Sequence, residues 1–263
     1  MSKTLTLSDI HFSKPSSSAL SPQMFTPLFN QIDTLILNGD TAETLSVKLS
    51  APSVALTEEL ISLASNSGVE VVLITGNHDP DISKTHHVHA FEDRVLIMHG
   101  HAVLDGIAPW SWRSKYIKKM VSDRQVPASL DEVLELIAEV SQQVGTDSIE
   151  ANKPSTLKMA SLAVPAVFHI LKSWFNFPTL TYNFLKRYSP NTKVCITGHT
   201  HRKGVWVRDD VIIINTGCFG RYAFPSKPLA VILDDENRTV NVHSIKTISG
   251  EFELAESLCE FAV

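Results

Sequence analysis

Five apolar runs in this chain end in short segments rich in Asp, Asn, His and Gly, and that arrangement limits the possible folds more than any other feature. TLTL runs into Ser8-Asp9-Ile10-His11, TLIL into Asn38-Gly39-Asp40, and VVLIT into Gly76-Asn77-His78-Asp79. VLIM runs into His99-Gly100-His101, and VCIT into Gly198-His199-Thr200-His201. Short β-rich runs bounded by turn residues predict strands. Polar residues just beyond the carboxyl ends of strands are where open α/β sheets place their sites.

In the first hundred residues the strands predicted are Thr4–Leu7, Thr34–Leu37, Val69–Ile74 and Val95–Met98. Between the second and third, Leu56, Leu60 and Leu63 recur at helical spacing, with Asn66 and Gly68 as stop signals. Strands separated by helices argue for βαβ units and a parallel sheet. From about Ile107 to Tyr188 the strand signal disappears. Asp131–Val144 reads as an amphipathic helix, with Ser129 as N-cap and Glu132 completing a capping box. Ser155–Arg187 reads as a second helical region, apolar and aromatic, which Pro165 and Pro178 should kink or divide. Strands resume at Lys193–Ile196, Val205–Val207, Val211–Ile214, Leu229–Leu233 and Thr239–His243, closely spaced as in antiparallel sheet. The expected fold class is α/β, one domain over residues 1–263 with a helical cap inserted at about 107–188.

Composition sets the outer limits. A chain of 263 residues buries roughly 70–75% of its unfolded surface and needs no disulfide staple. Its cysteines, Cys195, Cys218 and Cys259, form no C-x-x-C pair and read as reduced thiols. The N-terminus MSKTLTLSDI lacks the apolar core of a signal peptide. The uncharged stretch Met159–Leu171 falls short of the roughly 20 apolar residues a membrane span needs. These features predict a cytoplasmic protein. The net charge of −5 gives no general attraction to nucleic acid, so none is expected as partner.

The residue types in the five segments are carboxylate, imidazole and amide oxygen, which suit manganese, zinc or iron. Asp9 and His11 stand two apart, as do His199 and His201. In an extended chain, such pairs project to one side. Glycines at 39, 76, 100 and 198 permit tight turns and close backbone approach.

The whole set resembles the calcineurin-like metallophosphoesterases, whose pattern runs D-x-H, GD, GNH[DE], H and GHxH. The resemblance covers residue 3 to about 245. It implies a two-sheet mixed β-sandwich flanked by helices and two divalent metal ions, manganese first, with iron or zinc as alternatives. Asp9, His11 and His201 would hold one ion, Asn77, His99 and His199 the other, and Asp40 would bridge them. His78 would contact the phosphoryl oxygen or protonate the leaving group, and Asp79 would orient His78. The implied reaction is hydrolysis of a phosphomonoester, phosphodiester or pyrophosphate bond. Two cations about 3.5–4 Å apart neutralise such a substrate and bring a water to reactivity near neutral pH.

Other residues have a structural reading beside a functional one. His86, His87 and His89 are read as a solvated helix or loop rather than a rim for substrate. His101 is a candidate supporting residue behind the ligands, and His169 a structural one. Arg202, directly after the last ligand segment, and Arg94 are candidates for phosphate contact.

The continuation Thr41-Ala42-Glu43-Thr44 departs from the GDxxDRG run of protein Ser/Thr phosphatases. A helical insert between His99 and His199 resembles the UDP-diacylglucosamine hydrolases, although these carry GNRD where this chain has His78. That layout implies a lipid-linked pyrophosphate as an alternative substrate. A non-catalytic scaffold on the same fold is a further alternative, but such relatives lose ligands and here every position is filled. The insert's aromatics form either the inner face of a cap or an exposed face for acyl chains or peripheral membrane contact. Lys172, Lys186 and Arg187 flank them.

Overall fold

The computed structural model describes residues 2–146, 156–221 and 227–263. The start of the second helical region at Ser155 lies outside the described residues.

The described strands form two sheets. Strands β1 (Lys3–Leu7), β2 (Thr34–Asn38) and β3 (Glu70–Ile74) run parallel. The first sheet continues through β9 (Leu229–Asp234), β10 (Thr239–Ile248) and β11 (Glu251–Ala262), in the order β11-β10-β9-β1-β2-β3. The second sheet contains β4 (His87–Ala90), β5 (Val95–Met98), β6 (Val194–Thr197), β7 (Gly204–Arg208) and β8 (Val211–Asn215), in the order β4-β5-β6-β8-β7.

Alternation along the strands builds the layers, since successive side chains point to opposite faces. On β2, Leu35 and Leu37 pack outward with Phe12, Phe25 and Phe252, while Ile36 faces the second sheet. On β5, Val95 and Ile97 meet Ile36 and Val231 between the sheets, while Leu96 and Met98 face helices. Strands buried on both faces therefore read as unbroken apolar runs.

Helices α1 (Thr26–Phe29) and α2 (Ser50–Asn66) lie with the first sheet. Between β5 and β6 come α3 (Ser114–Ser122), α4 (Leu130–Thr146) and α5 (Thr156–Tyr188). On α4, Leu130, Val133 and Leu134 pack on the second sheet, and Ile137, Val140 and Val144 pack with Ile117 of α3. Its N-terminus is capped as expected: Ser129 Oγ accepts from the Glu132 N–H at 3.2 Å. The Glu132 carboxylate reaches back to the Ala128 N–H at 2.8 Å.

Four expectations are corrected. Strands β6 and β8 run parallel, because β8 slots between β6 and β7. Strand β11 was not expected, and its alternation is broken by register shifts at Val242/His243 and His243/Ile245 on its partner. His87 and His89 belong to strand β4, not to a solvated helix or loop, and His86 Nδ1 lies 2.7 Å from Thr75 Oγ1. Of the two outcomes expected at Pro165 and Pro178, division does not occur, since helix α5 runs through both.

The insert's aromatics divide between the two readings. Phe177 and Leu185 are buried, and Tyr182 and Phe184 pack beside them, whereas Val167, Phe168, Leu171 and Phe175 are exposed. His169, expected to be structural, is exposed. Among the described residues no helix is long and apolar enough to cross a membrane.

Candidate metal centre

All five polar segments leave the ends of parallel strands: β1, β2 and β3 in one sheet, β5 and β6 in the other. The two sheets face each other across the shared apolar layer, so these ends converge at one edge of the sandwich. The loops are laced together by backbone bonds. The Asp9 N–H donates to Gly39 O at 3.1 Å, His11 N–H to Asp40 O at 2.9 Å, and Gly198 N–H to His99 O at 2.9 Å.

Asp9 and His11 do not converge by extended alternation, as the sequence suggested. Both are left-handed, with φ of 53° and 52°, and Asp40, His199 and His201 are too, with φ of 52°, 65° and 58°. Such backbone is uncommon for residues other than Gly, although Asp, Asn and His adopt it most readily. It costs on the order of 1–3 kcal/mol per residue and concentrates at functional sites. Gly76 shows why a side chain cannot stand there: a Cβ on it would collide with the backbone N and the carboxylate of Asp40.

The side chains form two adjoining groups. In the first, Asp9 Oδ1 lies 3.2 Å from His201 Nε2, and His11 Nε2 lies 3.2 Å from the same nitrogen. In the second, Asp40, His99 and His199 each offer a ligand atom within 4.8 Å of the others, with Asp40 Oδ2 at 3.3 Å from His99 Nε2. Asp40 also faces the first group, its Oδ2 3.8 Å from His11 Nε2.

Partners on the far side of each ring fix which nitrogen faces inward. His99 Nδ1–H donates to Asn38 O at 2.9 Å, and His199 Nε2–H donates to Ile107 O at 2.9 Å. His11 Nδ1 meets Glu43 Oε1 at 2.6 Å. Asn77 Oδ1 is buried without a hydrogen-bond partner. A buried amide oxygen without a partner, and an imidazole nitrogen whose one polar neighbour is the Asp40 carboxylate, fit hard or borderline divalent cations.

The protonation balance fits the same donors. Burial holds His11 down at about 4 against the Glu43 hydrogen bond, and holds His199 down at about 3. Both are neutral imidazoles with a lone pair to offer. Burial also acts to lower His99, but the charges of Asp40 and Asp9 outweigh it and raise it to about 9. His201 is likewise raised despite burial, through hydrogen bonds to Asp9 and Cys218. Buried carboxylates demand positive charge beside them, which protons supply at these two rings and which metal ions would replace.

Asp79 does not touch the His78 ring. Its Oδ1 accepts from the N–H groups of Asp40 and Gly76, both at 2.9 Å, and its Oδ2 from those of Thr41 at 2.7 Å and Ala42 at 3.0 Å. Asp79 thus ties the loop after β3 to the loop after β2. The partner of His78 is Glu43, whose Oε2 lies 2.9 Å from His78 Nδ1 while its Oε1 serves His11. Lys14 Nζ sits 3.0 Å from Glu43 Oε1. Burial alone would raise the Glu43 carboxyl, yet its bonds to His11 and His78 hold it well below the usual carboxylate range. Sequence reasoning passed over Glu43; its one signal is an acid three residues after Asp40, in the same loop.

The two arginines lie elsewhere. Arg94 precedes β5 while His99 follows it, so Arg94 stands about 16 Å away at the opposite edge. Arg202 Nη1 donates to Trp174 O at 2.7 Å, and its guanidinium lies over Phe175 and Trp206. Pro178 explains the acceptor. It lacks the N–H that would bond to the carbonyl four residues earlier in α5, and that carbonyl belongs to Trp174. Trp174 Nε1–H returns a bond to Thr200 O at 2.8 Å. Arg202 therefore anchors α5 to the loop of His199 and His201 and is not turned toward substrate. His101 is buried beside the second group, its ring 5.3 Å from that of His99 and 6.1 Å from that of His199.

A cleft of about 870 Å³ opens beside Asn77, His78 and Glu43. The loop of Leu45–Lys48, the stretch Ile107–Arg113 and the facing parts of α3 and α4 form its walls.

A family model described as calcineurin-like phosphoesterase matches residues 2–203. No curated protein matches the sequence. Similar solved structures include a phosphoesterase, YfcE, from E. coli, 15% identical over 99% of this chain and 98% of that one, with TM-score 0.47. A Vps29 variant from Entamoeba histolytica is 15% identical over 98% and 99%, with TM-score 0.46. A dimetal phosphatase from Danio rerio is 9% identical over 96% and 98%, with TM-score 0.49.

Proposed function

The chain belongs to the calcineurin-like phosphoesterase family, and from that premise we propose that it is a hydrolase that cleaves a phosphoester bond using two divalent metal ions, manganese foremost. The observation that carries this reading is the pair of ligand groups, Asp9–His11–His201 and Asp40–His99–His199, with Asp40 facing both. Asn77, whose buried Oδ1 lacks a partner, completes the second group.

The ions supply charge neutralisation at the phosphoryl oxygens and a reactive nucleophile from water near neutral pH. The protein's own residues do the rest. The water oxygen forms a bond to phosphorus while the bond from phosphorus to the leaving oxygen breaks. His78 lines the cleft, so its Nε2 gives a proton to the departing oxygen. Glu43 orients His78 through Nδ1. On this reading residues 1–263 act as one domain, with residues 107–188 as the cap over the cleft.

Membrane or acyl contact through the insert is a second reading. The exposed Val167, Phe168, Leu171 and Phe175 of α5 favour it. Co-sedimentation with liposomes of neutral and anionic composition tests it, and absence of binding to both would end it.

The main test is hydrolysis of bis-4-nitrophenyl phosphate and 4-nitrophenyl phosphate by the manganese-loaded protein. Activity should vanish with a chelator and fall by about a hundredfold or more in Asp40→Ala, as expected when an electrostatic centre of the transition state is lost. A folded, metal-loaded protein inactive on both esters would refute the hydrolase reading.

A further inference from the structure

We propose that the leaving group of the natural ester is an aromatic alcohol, bound in the cleft beside His78. The inference rests on the phosphoester reading above and names the substrate side that the reading leaves open.

The cleft's position assigns it to the leaving group. It is lined by His78, the residue placed to protonate the departing oxygen, together with Asn77 and Glu43. A group that fills it is bonded to that oxygen. Its volume of about 870 Å³ falls within the roughly 300–1,000 Å³ typical of small-molecule sites.

Beyond the catalytic end the walls are mixed, with Ser46, Lys48, Ser111, Arg113 and Ser141 among the apolar side chains. Leu45, Val47, Ile107, Trp110, Ile117 and Val144 line them. Val47 is 95% exposed, an aliphatic side chain standing in the cleft wall without cover from the protein itself. Trp110 joins the cleft to the metal centre, its ring centroid 5.7 Å from that of His199. A flat ring entering from the cleft thus meets an indole close to where phosphate would sit, and aromatic pairs gain energy beyond the area they bury.

One guanidinium, that of Arg113, also lines the cleft. Arg113 Nη1 donates to Val144 O at 3.4 Å and its guanidinium lies over the Trp112 ring at 4.9 Å. These contacts hold the guanidinium across the ends of α3 and α4. The floor is equally specific. A Cβ on Gly145 would strike the Leu45 side chain, so the end of α4 and the loop after β2 already touch and close the cleft on that side.

The test compares binding and selectivity. The manganese-loaded protein is titrated with 1-naphthyl phosphonate, n-octyl phosphonate and methyl phosphonate, none of which is hydrolysed, by calorimetry. The naphthyl compound should bind at least about tenfold tighter than the methyl one, and tighter than the octyl one. Trp110→Ala should cut the naphthyl preference by about tenfold, and Val47→Ser, on an exposed loop, should reduce it in the same direction. In turnover, the ratio of kcat/KM for 1-naphthyl over trifluoroethyl ester should fall in both variants. Equal binding of naphthyl and methyl phosphonates overturns the proposal. So does tighter binding of the octyl compound, which would assign the cleft to an alkyl chain. A wild-type protein that binds the naphthyl compound selectively yet hydrolyses no ester would refute the hydrolase reading and leave this assignment of the cleft standing.

Discussion

Replacing Glu43 by Gln should separate metal binding from proton donation. Glu43 serves two imidazoles at once, His11 Nδ1 at 2.6 Å and His78 Nδ1 at 2.9 Å. A Gln has one acceptor oxygen and one donor NH2 in place of two acceptor oxygens. His11 must keep its Nδ1–H for Nε2 to face the first group, so the Gln oxygen should stay with His11. The NH2 then faces His78 Nδ1 and forces the neutral tautomer protonated at Nε2. His78 loses a charge-assisted hydrogen bond of about 1.5–3 kcal/mol, which corresponds to roughly 10–150-fold in the rate of a step that depends on it. The loss should appear only where the leaving oxygen needs a proton. The assay is kcat/KM in Glu43→Gln for esters spanning good and poor leaving groups, with bound manganese measured alongside. We expect a small effect for 4-nitrophenyl esters, a fall of about 10–100-fold for alkyl esters, and near-normal metal content. An equal fall for all leaving groups together with lost metal would mean that Glu43 acts through His11 alone. No effect on either class would refute the assignment of Glu43 as the partner of His78.

The anchoring of α5 predicts a non-additive pair. Arg202→Ala removes the charged donor from the Trp174 carbonyl and should cost about 1–3 kcal/mol in urea unfolding. Pro178→Ala restores the missing helical N–H, so the double variant should be more stable than the sum of the single effects predicts; strict additivity would show that the two residues do not share that carbonyl. Metal binding should also release protons. His99 titrates at about 9 and His201 is raised, so both are protonated at pH 7 and a cation must displace those protons. Apparent manganese affinity should therefore rise with pH until these rings have lost their protons. Calorimetry at pH 7 in buffers of different ionisation enthalpy should show about one to two protons released, and identical heats across buffers would contradict the charge balance derived for the site.

Much of the site was legible because its determinants are local. A ligand needs one of few residue types, and a strand end is marked by an apolar run that stops. Both are written within about ten residues of each other at Asp9, Asp40, Asn77, His99 and His199. Illegible features lacked such a local mark. Strand β4 is four residues long with two histidines and carries little apolar signal. Helix α5 holds two prolines yet continues, because at Pro178 a distant arginine occupies the carbonyl left free. The antiparallel reading of β6 and β8 failed because sequence proximity does not say which strand slots between which.

The sequence by itself carried the family's motifs: the candidate ligand types, their order, and their places at the ends of strands. Only the tertiary structure decided who serves whom. Asp79 stands next to His78 in the chain yet spends both oxygens on backbone N–H groups, while Glu43, 35 positions earlier, holds the ring. Left-handed backbone at the ligands turns side chains in directions that extended alternation would not give. The physical reason is the same in each case. Periodicity and residue type are properties of a short stretch, whereas a hydrogen-bond partner is set by which loops the packed sheets bring within about 3 Å of one another.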